Sequence, residues 1–149
     1  MRRFNMFIAA AVVLALPVFG VPARADVFIS VNKAAQRMSV VVDGRERYDW
    51  PVSTGLGGGP PSGAYSPDRM ERKWYSRRYN WSPMPHAIFF HKGYAIHGTY
   101  YVSRLGSPAS HGCVRLHPSH AAVLFALVYQ EGMRRTRIVV SSSSRYAAR

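Results

Sequence analysis

From residue 27 onward, apolar and polar positions alternate in the manner of strands. Val27-Phe28-Ile29-Ser30-Val31 and Arg37-Met38-Ser39-Val40-Val41-Val42 are rich in β-branched residues, which suit a pleated, half-buried surface. The turn Asp43-Gly44 follows, and Glu46 to Thr54 reads as the return strand of that hairpin. Ala87-Ile88-Phe89-Phe90 and Tyr94-Ala95-Ile96 form a second hairpin around Lys92-Gly93, and Thr136 to Val140 reads as a closing strand. One segment changes to helical spacing. Ala121, Leu124, Phe125, Leu127 and Val128 share a face of a helix that His117-Pro118-Ser119 opens and Gly132 ends. The pattern predicts a mainly β domain with one substantial helix.

Two stretches carry no period. Gly55-Leu56-Gly57-Gly58-Gly59-Pro60-Pro61-Ser62-Gly63 reads as a mobile loop. It is no phosphate cradle: no Lys-Ser/Thr pair follows, the prolines remove backbone donors, and no helix pattern comes next. Residues 65–86 mix Tyr65, Trp74, Tyr75, Tyr79 and Trp81 with Arg69, Arg72, Lys73, Arg77 and Arg78. Interleaved aromatics and cations suit single-stranded nucleic acid, but equally sugars, peptides bearing carboxylates, or a solvated loop with aromatic anchors.

The first residues change the charge picture. Arg2 and Arg3 precede an uncharged stretch from Phe4 to Ala23, apolar from Met6 to Leu16, then Pro17, Gly20, Pro22 and Ala23-Arg24-Ala25. This is the order of a secretory signal, and its apolar core falls short of the ~20 residues a membrane span needs. The expected organisation is a signal peptide over 1–25, one domain over 26–141 and a frayed Ser-rich tail over 142–149, with no membrane span in the mature form. Cleavage after Ala25 leaves 17 basic against 7 acidic residues. Such a balance ordinarily points to nucleic acid. Export argues against that partner and points to the acidic polymers of the cell envelope.

The single Cys113 cannot form an internal disulfide and excludes a Cys-based structural zinc site. Four of the six histidines, His86, His91, His97 and His111, lie within 27 residues upstream of it. A metal site and a Cys/His nucleophilic pair both fit that concentration. No Asp or Glu occurs from Arg72 to Gln130, so a catalytic metal would lack the carboxylate that orients its ligands or acts as base. Paired-carboxylate glycosidase chemistry is disfavoured for the same reason. No metal and no cofactor is expected. The nucleophile reading gains from the same accounting. A thiol near pKa 8.5 is mostly protonated at neutral pH, and Arg115, two residues along a strand, would share the face of Cys113 and favour its thiolate. A histidine base would need a backbone carbonyl or hydroxyl to hold it. Gly112 lets a substrate carbonyl approach backbone donors, as an oxyanion site requires.

These residues carry a family resemblance. His97-Gly98-Thr99, followed by Gly106-x-x-x-Ser110-His111-Gly112-Cys113-Val114-Arg115-Leu116, resembles the signature of the YkuD-type L,D-transpeptidases. Val52-Ser53-Thr54-Gly55, Pro61-Ser62-Gly63 and Met84-Pro85 fall where similar segments occur in that family, so the resemblance runs from Val27 to about Val140. It implies a β-sandwich-like domain with a helix after the catalytic cysteine. It also implies a secreted enzyme of the periplasm or cell envelope that acts on peptidoglycan stem peptides. Cys113 would attack the carbonyl between meso-diaminopimelate and a terminal D-alanine, release D-alanine, and pass the acyl group from a thioester to an amine of a second stem or of an envelope protein. His97 matches the general base, with backbone groups around Gly98 orienting it. Ser110, His111 and Gly112 would shape the pocket and oxyanion site, and Arg115 would clamp a substrate carboxylate. Thr99, Tyr79 and Trp81 complete the expected substrate-binding set. The chain departs from the family pattern in Pro60-Pro61-Ser62-Gly63, in His86, and in Arg115 where many members have Asn. Hydrolysis by the same site, as an L,D-carboxypeptidase or endopeptidase, and a non-catalytic peptidoglycan-binding module are the competing readings.

Overall fold

A computed structural model describes residues 26–143; the signal-like segment 1–25 and the tail from 144 lie outside the described residues. In chain order the strands are β1 (Val27–Asn32), β2 (Arg37–Val42), β3 (Arg45–Pro51), β4 (Gly63–Tyr65), β5 (Arg69–Glu71), β6 (Tyr75–Ser76), β7 (Ser82–Pro83), β8 (Ala87–His91), β9 (Tyr94–Gly98), β10 (Val114–Leu116) and β11 (Thr136–Ser141). The helix α1 (Pro118–Glu131) lies between the last two. One sheet runs β3-β2-β1-β11-β4 and a second β10-β9-β8-β5, with β6 and β7 as a separate ribbon. Both hairpins turn where the sequence predicts. Asp43 and Gly44 have φ of 51° and 72°, Lys92 and Gly93 of 42° and 87°, the positive pair that a two-residue hairpin turn needs.

Alternation decides which face each strand buries. Val27, Ile29, Val31, Met38, Val40, Val42, Ile138 and Val140 of the first sheet meet Ile88, Phe90, Ile96, Val114 and Leu116 of the second in one core. Helix α1 adds Ala121, Leu124, Phe125 and Val128 to it. The opposite face of the second sheet is left free to carry chemistry. Mainly β architecture with one α-helix is therefore what the periodicity predicts and what the described residues form.

Three local expectations change. The return strand ends at Pro51, whose missing N–H cannot continue a ladder. The chain then crosses to the second sheet, where Ser53 bridges Arg115 and Gly55 bridges Ser110. Residues 65–86 are not wholly irregular: they hold β5, β6, β7 and a 3₁₀ turn at Arg77–Tyr79, pieces too short to display a period. The glycine loop is tied down. Gly55 N–H donates to Gly59 O at 2.9 Å and Leu56 N–H to Ser110 O at 3.0 Å, and Lys33 Nζ donates to Gly58 O at 2.7 Å and Pro60 O at 2.9 Å.

Candidate active site

The free face of the second sheet places the chemistry in two rows. β9 and β10 run parallel, with Arg115 opposite His97 and Val114 opposite Ile96. Cys113, one residue before β10, lies beside Ala95, whose backbone hydrogen-bonds to it. Successive strand residues alternate faces, so Ala95 and His97 share one side of the sheet with Cys113 and Arg115. All four except Ala95 line a cleft of about 720 Å³.

His97 is buried, at 5% exposure. Its Nδ1 lies 2.7 Å from the carbonyl oxygen of Gly98. A carbonyl only accepts, so Nδ1 carries the proton and Nε2 keeps a free lone pair. That contact orients the ring without a carboxylate. Desolvation lowers the His97 pKa to about 4; the Gly98 hydrogen bond opposes this shift and the Arg115 charge adds to it. Cys113 is half-buried. Burial pushes its thiol up, while the hydrogen bond from the Ala95 backbone and the Arg115 charge pull it down. At neutral pH both groups are therefore neutral, with the proton on sulfur. Proximity to Arg115 does not overcome desolvation, contrary to the thiolate-favouring balance that the charge pattern suggests.

The turn before Cys113 is closed by one hydroxyl. Ser110 Oγ donates to Cys113 O at 2.6 Å and accepts from Gly112 N–H at 3.0 Å. The Gly112 amide is thus committed to the loop. Among the described residues the Cys113 N–H has no hydrogen-bond partner, which makes it the better-placed donor for an oxyanion. Gly112 has φ +142°, and a Cβ there would stand 2.6 Å from Tyr94 Cε1. From the other side, a Cβ on Gly55 would stand 2.8 Å from Gly112 Cα. Gly55 is in turn held by its neighbour Thr54, whose N–H donates to Gln36 Oε1 at 2.9 Å and whose Oγ1 accepts from Gln36 Nε2 at 2.7 Å.

The 3₁₀ turn and the β6–β7 ribbon rise over the cleft. Tyr79 stacks on His111 with ring centroids 4.3 Å apart and planes 10° from parallel. Tyr79, Thr99, Ser110, His111, Gly112 and Arg115 line the cleft with Cys113 and His97. Two expected residues do not. Gly98 acts through its carbonyl and lets the helix approach, since a Cβ would meet Pro118 Cα at 3.2 Å. Trp81 is 61% exposed, with positive φ at it and at Asn80, and Trp74 lines the cleft in its stead. Sequence reasoning missed Phe89, Tyr94 and Gln36 as supports of the site. No group of three or more His, Cys, Asp or Glu able to hold a metal occurs among the described residues, and no described helix is long and apolar enough to cross a membrane.

Comparison with known proteins is specific. The family model described as the L,D-transpeptidase catalytic domain, YkuD, matches residues 26–140. No curated protein matches significantly. Among solved structures, an L,D-transpeptidase from Mycobacterium smegmatis superposes with a TM-score of 0.67 at 25% identity, covering 79% of this chain and 59% of its own. An L,D-transpeptidase from Stackebrandtia nassauensis gives 0.68 at 26% identity, covering 81% and 58%. L,D-transpeptidase 3 from Mycobacterium tuberculosis, in complex with a faropenem-derived adduct, gives 0.66 at 18% identity, covering 79% and 61%. The chain thus spans about three fifths of the length of these neighbours.

Proposed function

Because the chain belongs to the YkuD family of L,D-transpeptidase catalytic domains, we propose that it is a cysteine L,D-transpeptidase of the cell envelope that acts on peptidoglycan stem peptides. The observation that carries this reading is the placing of Cys113 and a carbonyl-held His97 on one face of one cleft. His97 Nε2 takes the thiol proton as Cys113 Sγ bonds to the carbonyl carbon between meso-diaminopimelate and D-alanine. The Cys113 N–H donates to the developing oxyanion. The C–N bond breaks, the proton passes from His97 to the leaving amine, and D-alanine departs from a thioester. An amine of a second stem or an envelope protein then attacks, His97 takes its proton, and the sulfur leaves and regains a proton. With burial pushing the Cys113 thiol up and the His97 imidazole down, proton transfer from sulfur to Nε2 accompanies attack in this scheme. A signal segment over 1–25 fits delivery to that compartment.

Purified protein incubated with tetrapeptide muropeptides is expected to release D-alanine and yield crosslinked dimers. Tripeptides alone would identify water as acceptor. Faropenem, suggested by the adduct on the Mycobacterium tuberculosis enzyme, is expected to add its mass to this protein in intact-mass analysis. The adduct should be lost in Cys113→Ala and form roughly 10²-fold more slowly in His97→Ala. No adduct and no turnover, with glycan binding retained, would leave only a binding module.

A further inference from the structure

The row that ends at Cys113 continues across the sheet to a cation. Arg69 pairs with Phe89, and Phe89 with Ala95; Ala95 lies beside Cys113. Cross-strand partners face the same side, and three strand spacings put the Arg69 and Cys113 Cα atoms about 14 Å apart. Between them Met84, Ala87, Phe89 and Ala95 form an apolar floor against which Cys113 packs. Arg69, Phe89 and Cys113 line the same cleft.

Arg69 is held by two rings and one carboxylate. Its Cζ lies 4.0 Å from the centroid of the Phe89 ring and 4.4 Å from that of Trp74, and the two rings meet edge to face at 5.6 Å. Nη1 donates to Glu71 Oε1 at 3.1 Å. Among the described residues, Nε and Nη2 have no hydrogen-bond partner, and these two atoms form the side of a guanidinium that takes a carboxylate with two parallel bonds. Contact with both rings and with Glu71 restricts the side chain, so less rotamer freedom is left to lose on binding. Arg77, Arg78, Lys92 and Arg115 also line the cleft, and among its described lining residues there is no Asp or Glu. Arg77 and Arg78 each approach a single ring, Trp81 at 5.6 Å and Tyr79 at 5.7 Å; of these three arginines only Arg69 sits on a sheet strand and against two rings.

We propose that Arg69 reads a free carboxylate on the stem peptide, at the far end of the diamino acid whose other carboxyl is being transferred, so that the protein selects stems with that group unmodified and rejects their carboxamide forms. This rests on the transpeptidase reading for the identity of the peptide. A carboxamide keeps the shape but loses the charge and one acceptor oxygen, and it turns an N–H toward donors that need an acceptor.

The test titrates two tetrapeptides, identical except for amidation of that carboxyl, into the full Cys113→Ala protein by calorimetry, and separately follows their turnover by the unsubstituted protein. The free acid is expected to bind at least about tenfold tighter. Arg69→Gln should bring the ratio toward one, and Arg69→Lys, which keeps the charge without the fork, should leave an intermediate ratio; thermal melting of each variant reports folding. Equal affinities in the Arg69 protein, an undiminished preference in folded Arg69→Gln, or no binding of either peptide would overturn the assignment. Binding selectivity without turnover would sink the transpeptidase reading and leave the carboxylate site standing. Equal turnover of both peptides would do the reverse.

Discussion

At the scale of single residues, the proposed base His97 and nucleophile Cys113 would set how the reaction responds to pH. The His97 imidazole accepts a proton only while neutral, and desolvation with the Arg115 charge holds its pKa to about 4. Acylation should therefore fall as pH drops through about 4, well below the ordinary histidine value near 6.5. On the alkaline side, burial raises the Cys113 pKa, so spontaneous thiolate adds to the rate only above the ordinary thiol range. The expected profile is flat across neutrality, measured as faropenem adduct formation by mass. Replacing Arg115 with Met removes a charge that lowers both groups, so the acid limb should move to higher pH and the alkaline rise should move up with it. An acid limb near 6.5 in the unsubstituted protein would mean that the buried imidazole is not the base. The residue types themselves were legible in the chain: one thiol, a histidine sixteen residues before it, and no carboxylate between Arg72 and Gln130, which left a backbone carbonyl or hydroxyl as the only local means of orienting the ring.

Elements position those residues, and here legibility divides by length and by register. Helix α1 and the two hairpins were readable because a 3.6 period, an Asp43-Gly44 pair and a Lys92-Gly93 pair are signals contained within a few residues. The floor of the cleft was not. A strict two-residue turn at Lys92-Gly93 would pair Phe90 with Ala95 and put Phe90 in the cleft. A register shift between Phe89 and His91 pairs Phe89 with Ala95 instead, and one residue of slip exchanges the two faces of a strand. The glycine loop was equally opaque, because its partner is 57 residues away in the chain: Gly55 against Gly112. That contact yields a paired prediction. Gly55→Ala drives a methyl to 2.8 Å from the Gly112 Cα, and backbone cannot rotate aside as a side chain can, so the Cys113 turn must shift. A displacement of about 1 Å at a reacting atom can cost roughly 10²-fold, and acylation should slow on that order. Gly57, two residues along the same loop, has open space around it and no positive φ, so Gly57→Ala should acylate at the normal rate. Equal rates for the two variants would remove the loop from the positioning of the nucleophile.

For the whole molecule the governing feature is that charge and shape converge on one cleft. Over residues 26–149 basic residues outnumber acidic ones 17 to 7, and among the described residues five cations line the cleft: Arg69, Arg77, Arg78, Lys92 and Arg115. Low-dielectric walls lined by one sign of charge raise the local concentration of an oppositely charged ligand. In the proposed reaction the bonds at Cys113 would form within the cleft, little exposed to mobile ions, whereas capture of the ligand would act through water. Salt should therefore act on encounter and leave the chemical step nearly untouched. Between about 0.01 M and about 1 M salt the screening length falls from about 30 Å to about 3 Å, and kcat/KM for a stem peptide bearing several carboxylates should fall roughly tenfold or more, with kcat nearly constant. Faropenem, with a single carboxylate, should show a shallower dependence of its acylation rate on the same salt series. The two slopes separate electrostatic capture from a general effect of salt on the fold, since loss of folded protein would depress both reactions equally. A stem-peptide reaction with a salt dependence no steeper than that of the β-lactam would show that the cationic lining serves the architecture of the β6–β7 region rather than the recruitment of substrate.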